Sequence, residues 1–125
     1  MDVVSVRYIV DDVAAARDFY VRHLGFVVEV DAAPGFAMLD EALRLLLNAP
    51  GGRGGAAAAT PDGQVPAPGG WNRFQLVVAD LDAEVERLRA AGLRFRTEVA
   101  VGVGGSQILL EDPAGNAVEL FQPAG

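Results

Sequence analysis

The chain has 125 residues, a formal net charge of −7 and no cysteine, and all ten of its basic residues are arginine. This length suits one domain with a real hydrophobic core. The missing cysteine excludes disulfides, thiolate chemistry and cysteine-based zinc sites, and the negative charge disfavours nucleic acids and anionic membrane surfaces as partners.

The first half of the chain predicts a strand, a helix and three further strands. Residues 3–10 alternate in character, as in a strand with one face in the core. The core face has Val4, Val6, Tyr8 and Val10, and the opposite face has Ser5, Arg7 and Ile9. Asp12 is a good N-cap for a helix that runs to about Leu24 and stops at Gly25. The apolar stripe of this helix consists of Val13, Ala16, Phe19, Tyr20 and Leu24. Strands follow near 26–31, 36–40 and 43–48.

Residues 49–70 are rich in glycine, alanine and proline. This composition opposes a helix or a strand, and the segment is longer than most connections in a compact domain. It is either a linker between two half-sheets or a flap over a ligand, and the sequence leaves both open. Its glycines at 51–55 neither follow a strand nor open a helix, so they do not form a phosphate-binding loop.

The second half repeats the order of the first. A strand at 72–79 leads to Asp80, an N-cap for a helix that ends at Gly92. The inward-facing residues of this helix are Leu81, Val85, Leu88 and Ala91. Strands follow at 93–98, 105–111 and 116–122, with residues 112–116 forming a tight turn between the last two.

Both halves therefore have the order βαβββ, which indicates an internal duplication. We expect an α+β fold in a single domain, residues 1–125, with modules at 1–48 and 71–125 joined by the linker at 49–70. The two modules would form a curled mixed sheet around a central cleft, with the helices on the outer face. Such a cleft is a natural place for a ligand.

Two segments of the chain resemble the vicinal oxygen chelate superfamily, which includes glyoxalase I, bleomycin-resistance proteins, fosfomycin-modifying enzymes and extradiol dioxygenases. Residues 12–26, Asp-Val-Ala-Ala-Ala-Arg-Asp-Phe-Tyr-Val-Arg-His-Leu-Gly-Phe, resemble the first helix of that superfamily. Residues 110–121, Leu-Glu-Asp-Pro-Ala-Gly-Asn-Ala-Val-Glu-Leu-Phe, resemble its closing hairpin. The likeness covers essentially the whole chain. It implies a fold that hosts metal enzymes and plain binding proteins alike, and a homodimer that builds the ligand pockets.

The resemblance also implies a divalent metal held at four equivalent strand positions, two in each half. In this chain those positions fall on Ser5, Leu46, Arg73 and Glu119. Only Glu119 is a good ligand for a divalent cation, because arginine does not lose its proton to become one. We therefore expect no metal in this site and no other cofactor.

Strand alternation brings polar and aromatic side chains to one face of the predicted sheet. The candidate ligand-binding residues are Ser5, Arg7, Leu46, Asn48, Trp71, Arg73, Gln75, Gln107, Glu119 and Phe121. Convergent donors with aromatic area are typical of a small-molecule pocket. A solvated sheet face gives the same alternation, and Arg73 with Glu119 also suits a plain salt bridge across the cleft. His23, the only histidine, falls in the last turn of the first helix, so we expect no catalytic role for it.

Two functions remain open. The first is a metal-independent binding protein of the bleomycin-resistance type, which sequesters an aromatic or largely apolar drug or natural product. The second is a metal-independent lyase or isomerase for a carbonyl substrate, with Glu119 as base and Arg73 stabilising the oxyanion. Pairing with Arg73 would make Glu119 a weaker base, and isolation in an apolar pocket a stronger one. A metal held elsewhere would be a third route to activity, but the sequence shows no ligand cluster for it.

The expected partner is a small molecule, and neither nucleic acid nor membrane is expected to bind. No apolar run is long enough to cross a bilayer. No basic segment followed by an apolar stretch opens the chain. The resulting expectation is a cytoplasmic protein.

Overall fold

In a computed structural model that describes residues 3–51 and 56–125, the chain forms two compact units, Met1–Gly69 and Gly70–Gly125. The first unit contains β1 (Ser5–Ile9), α1 (Val13–Leu24), β2 (Val27–Ala32), β3 (Phe36–Asp40) and β4 (Arg44–Asn48). The second contains β5 (Arg73–Val77), α2 (Leu81–Ala90), β6 (Ala100–Val101), β7 (Gly105–Glu111) and β8 (Ala117–Pro123). Each unit has the order βαβββ, so the predicted α+β fold of two tandem modules is confirmed.

Each unit has its own four-stranded mixed sheet. The strand order is β1-β4-β3-β2 in the first sheet and β5-β8-β7-β6 in the second. In both, the first strand of the module runs parallel to the last, and the remaining pairs are antiparallel. A parallel pair needs a long crossover connection, which the helix and the two intervening strands supply. The sequence repeat is therefore a repeat of topology.

Both helices begin after an aspartate, as predicted. The carboxylate of Asp12 accepts a hydrogen bond from the Ala15 amide at 3.0 Å, and that of Asp80 accepts one from the Ala83 amide at 3.0 Å. Each cap satisfies one of the amides that a helix start leaves unpaired. A second cap on α2 comes from β8, where the Gln122 side chain accepts from the first helical amide at 2.8 Å.

Across the described residues, no helix is both long enough and apolar enough to cross a membrane.

Each helix buries an apolar stripe against its own sheet, α1 against β2, β3 and β4 and α2 against β8. The buried residues are Val13, Ala16, Phe19 and Tyr20 in α1 and Leu81, Val85 and Leu88 in α2. Leu24 is half-buried. Val4 and Ala91, which the sequence placed on the core side, are exposed. Val4 precedes the first paired residue of β1, and Ala91 follows the last residue of α2, so neither is held against the core.

The predicted strand at 93–98 is wrong, because regular pairing with β7 occurs only at Ala100–Val101. Phe95 makes an isolated bridge to β7. Two residues later the ladder is interrupted, because the Leu109 amide donates to the hydroxyl of Thr97 at 3.1 Å. A side chain thus replaces the backbone acceptor that a continuous strand would have provided.

The described parts of the predicted linker contain turns but neither helix nor strand. Ala57 is buried, and its carbonyl accepts a hydrogen bond from the Gly51 amide at 2.8 Å. The amide of Thr60 donates to the carbonyl of Gln64 at 2.8 Å. Residues 52–55, most of the glycine-rich stretch, lie outside the described residues.

Strand β7 begins at a position that only glycine fits. Gly105 has a φ of 151° and lies opposite Pro123 of β8. A Cβ atom here would overlap the carbonyl oxygen of Gln122 and come within 2.9 Å of the Phe121 ring. Any side chain would therefore push β7 and β8 apart at this point.

Gly105→Ala should lower the free energy of unfolding by about 2 kcal/mol or more, because both the backbone angle and the contact with β8 are unfavourable for alanine. The neighbouring Gly104→Ala is the matched control, since nothing lies within 4 Å of its Cβ position. We expect it to change stability by less than about 0.5 kcal/mol. Urea denaturation followed by circular dichroism measures both, and equal effects would contradict the packing argument.

Candidate functional site

A polar cluster lies on the adjacent strands β5 and β8 of the second sheet. Gln75 of β5 is the register partner of Glu119 of β8, and Arg73 lies two residues before Gln75 on the same face. Arg73 Nε donates to Glu119 Oε1 at 3.0 Å, and Gln75 Nε2 donates to Glu119 Oε2 at 2.6 Å. Glu119 is only 7% exposed. Both oxygens of a buried carboxylate are therefore held by donors from the neighbouring strand.

The ion pair lies within one sheet. The sequence suggested a salt bridge across a cleft, whereas the structure places Arg73 and Glu119 on adjacent strands of one unit. A buried carboxylate is costly unless donors satisfy its oxygens, and here two do so. To take a proton from a substrate, Glu119 would have to give up part of this arrangement. The cluster is therefore better suited to fixing side chains than to proton transfer.

The residues at the four positions where the resemblance implies a metal ion do not fit a divalent cation. In the second unit, the Arg73 guanidinium, whose Nε lies 3.0 Å from Glu119 Oε1, would repel a cation at this carboxylate. In the first unit, Ser5 lies on β1, and Leu46 on β4 has no ligand atom. Within 3–51 and 56–125, no three His, Asp or Glu side chains are grouped so that they could hold a metal ion.

A pocket of about 340 Å³ lies against the second sheet. Gln107 of β7 and Phe121 of β8, which the sequence predicted as ligand contacts, are direct cross-strand partners in its wall. The other lining residues are Ala100, Val101, Gly102, Gly104 and Gly105. This volume falls in the range of small-molecule sites. The sequence analysis did not predict that Gly102, Gly104 and Gly105 line a pocket. The high glycine content of residues 102–105 could have indicated it, because glycines leave room beside the backbone.

A larger pocket of about 480 Å³ lies between α2 and residues 98–99, and no candidate residue lines it. Its wall includes Glu86 and Glu98, and Arg89 Nη2 contacts Glu98 at 3.4 Å. A wall of exposed charged side chains is typical of a solvated groove on an acidic surface.

Trp71 is held at the entry to β5 by an arginine that the sequence analysis did not single out. The Arg96 guanidinium carbon lies 4.6 Å from the centroid of the Trp71 ring. Arg96 also donates to Glu111 and to the carbonyl oxygens of Gly70 and Gly115. Little in the sequence indicates this role, because Arg96 is one charged residue in a segment predicted only as a strand.

The first sheet carries the other candidates. Arg7 Nε donates to Asn48 Oδ1 at 2.8 Å, and Asn48 is buried. Leu46 is the register partner of Arg7, and Ser5 is the partner of Arg44. The buried amide of Asn48 thus fixes the direction of the Arg7 side chain.

The ten candidate residues fall into two groups, one on each unit. Ser5, Arg7, Leu46 and Asn48 belong to the first, and Trp71, Arg73, Gln75, Gln107, Glu119 and Phe121 belong to the second. Within the units, the structure brings together Arg7 with Asn48, Arg73 and Gln75 with Glu119, and Gln107 with Phe121. That the two groups line one cleft stays a prediction.

Comparison with known proteins gives a consistent family. The model of the Glyoxalase/Bleomycin resistance protein/Dioxygenase superfamily matches residues 2–120. Among solved structures, a member of that superfamily from Sphaerobacter thermophilus is 27% identical with a TM-score of 0.74, covering 98% of this chain and 97% of that one. TnmS3, an antibiotic binding protein from Streptomyces, is 26% identical with a TM-score of 0.72, covering 99% and 97%.

A lactoylglutathione lyase from Agrobacterium tumefaciens also has the same fold. It is 23% identical with a TM-score of 0.75, covering 96% of this chain and 92% of the lyase. At this identity the likeness concerns the fold alone. Curated protein sequences give no significant match.

The Arg73–Glu119 pair should be energetically coupled, because removing Arg73 leaves the buried Glu119 carboxylate poorly compensated. We expect Arg73→Met to cost about 1–3 kcal/mol of unfolding free energy. In the double variant with Glu119→Gln, the loss should be at least about 1 kcal/mol smaller than the sum of the single losses. The exposed Arg87–Glu84 pair of α2 is the control, with expected coupling below about 0.5 kcal/mol. Additive losses at Arg73 and Glu119 would show that the contact contributes nothing.

Proposed function

This chain belongs to the glyoxalase/bleomycin resistance protein/dioxygenase superfamily, and from that premise we propose that it is a metal-independent protein that sequesters a small aromatic or largely apolar compound. The observation that carries the proposal is the Glu119 carboxylate, whose two oxygens accept hydrogen bonds from Arg73 and Gln75. A metal ligand at this position would need a carboxylate oxygen available to the metal. In this chain both oxygens of Glu119 are already hydrogen-bonded to side chains of the same sheet.

The pocket beside Phe121 and Gln107 supports a small organic ligand. Its wall combines an aromatic ring, an amide and bare backbone, which offers shape and hydrogen bonding without a strong charge. The likeness to an antibiotic binding protein at 26% identity supports a drug or natural product as the ligand class. In this proposal, the candidate residues Gln107 and Phe121 in the wall of this pocket contact the ligand directly.

The alternative is a metal-independent lyase or isomerase with Glu119 as base and Arg73 as oxyanion stabiliser. The geometry disfavours it, because Arg73 Nε already donates to Glu119 and its Nη1 is 3.4 Å from the Trp71 carbonyl oxygen. An oxyanion stabiliser must instead aim its donors at the reacting atom.

We also propose that the chain is a single domain that forms a homodimer, as its likeness to bleomycin-resistance proteins implies. Sedimentation equilibrium of the full chain at micromolar concentration tests this: a mass of twice 13.1 kDa is expected, and a monomer would contradict it.

The purified protein should hold no stoichiometric zinc, iron, nickel or manganese, because its donor set offers one carboxylate beside a guanidinium. In a thermal-shift screen of planar aromatic natural products and antibiotics, we expect at least one compound to raise the melting temperature equally with and without a chelator. Elemental analysis of the same sample provides the metal content. Stabilisation that the chelator abolishes would show that a metal is required.

Glu119→Gln separates the two functions. Because Glu119 acts in binding only as an acceptor for Arg73 and Gln75, the variant should keep the affinity for a compound found in the screen within about threefold. Isothermal titration measures the affinity, and product analysis by mass spectrometry measures turnover. Turnover by the parent protein that disappears in Glu119→Gln, with binding retained, would establish the lyase or isomerase instead.

A further inference from the structure

We infer that Arg96 is a positioning residue that holds the Trp71 indole as an open stacking platform for a planar, electron-rich aromatic ring. The inference rests on the proposed binding function and adds a residue outside the predicted site. It also narrows the ligand class from aromatic or apolar compounds to those with a flat, electron-rich ring.

Three separate hydrogen bonds fix the guanidinium of Arg96. Its Nε donates to Glu111 Oε2 at 3.1 Å, its Nη1 to the carbonyl oxygen of Gly70 at 2.6 Å, and its Nη2 to the carbonyl oxygen of Gly115 at 2.8 Å. The side chain is only 16% exposed. A planar guanidinium that is hydrogen-bonded through all three nitrogens cannot rotate to another position. Its flat face is therefore held in a fixed orientation.

This fixed surface is occupied by the Trp71 ring, 4.6 Å from the guanidinium carbon. Trp71 nevertheless remains 65% exposed, which is unusual for the largest apolar side chain. Arg96 covers one face of the indole and leaves the rest of the ring accessible. The bond from Arg96 to Gly70 also fixes the backbone immediately before Trp71.

The covered face determines what the open face prefers. A cation above an aromatic ring draws electron density towards itself, so the opposite face attracts an electron-rich partner ring in an offset stack. The carbonyl of Trp71 lies 3.4 Å from Nη1 of Arg73, whose Nε is bound to Glu119. The backbone of Trp71 therefore adjoins the polar cluster, so a hydroxyl group on a stacked ligand would have hydrogen-bonding groups nearby.

The chain contains a single tryptophan, so Trp71 gives one indole Nε1–H signal in a ¹H–¹⁵N spectrum of the labelled protein. We would titrate with 2-naphthol, a flat electron-rich probe, and with its saturated analogue decahydro-2-naphthol. The expected result is a saturable upfield shift of the indole signal with 2-naphthol and none with the analogue.

The outcomes separate this inference from the proposed function. If 2-naphthol shifts backbone amides in a saturable manner while the indole signal stays unmoved, the platform is wrong and the binding function stands. If 2-naphthol binds nowhere and no compound in the thermal-shift screen binds, both are overturned. A saturable indole shift by both probes would also overturn the platform, because a saturated ring cannot stack.

Variants test the role of Arg96 itself. Arg96→Lys keeps the positive charge but loses the planar guanidinium and its three fixed hydrogen bonds. We expect this variant to bind 2-naphthol roughly fivefold more weakly. Arg94→Lys, at an exposed arginine of the same segment, is the matched control and should leave the affinity unchanged. A lower melting temperature of Arg96→Lys with unaltered affinity would reduce Arg96 to a structural role and overturn the inference.

Should Arg96→Lys fail to fold, two changes at the exposed Trp71 carry the test. Trp71→Phe keeps an aromatic ring, so its affinity for 2-naphthol should stay within about threefold of that of the parent protein. Trp71→Leu has no ring, so its affinity should fall roughly tenfold or more. Amide shifts report binding in both variants. Equal affinities for the phenylalanine and leucine variants would overturn the platform.

Discussion

The hydrogen-bonded ion pair of Arg73 with Glu119, completed by Gln75, is the interaction on which the second unit and its proposed chemistry depend. A carboxylate that is 7% exposed requires donors, and here the adjacent parallel strand supplies both. The register of β5 against β8 therefore decides whether Glu119 is satisfied. A shift by one residue would turn Arg73 and Gln75 to the opposite face of the sheet. The polar cluster can therefore form only in the observed register, and its hydrogen bonds in turn stabilise that register.

The two units show what a duplication can change while it keeps the backbone. Strands β1 and β4 pair in the same parallel manner as β5 and β8. At the place where Gln75 meets Glu119, the first unit has Arg7 beside Leu46. With no carboxylate there, Arg7 bonds instead to the buried Asn48. Identical topology thus supports an ion pair in one sheet and, in the other, a hydrogen bond from a guanidinium to a neutral amide beside an aliphatic side chain.

Local sequence signals predicted most of the fold, because each depends on neighbouring residues. The caps Asp12 and Asp80 and the apolar stripes belong to this group. The strand at 93–98 was wrong because the Thr97 hydroxyl bonds to an amide twelve residues further along, which alternation does not reveal. For the site, alternation predicted that Arg73 and Glu119 share a face. It could not predict Arg96, two of whose partners are backbone carbonyl oxygens, since every residue carries one.

The Gln122 side chain that caps α2 has a consequence for how the second unit assembles. The helix begins 41 residues before the glutamine that receives its first amide, and β5 likewise pairs with β8, near the end of the chain. Contacts of such sequence separation form late, because a long loop must close first. During synthesis, α2 and β5 would therefore become ordered only after β8 has been made. A chain shortened before Gln122 should lose the ordered structure of the whole second unit, not only that of its last residues.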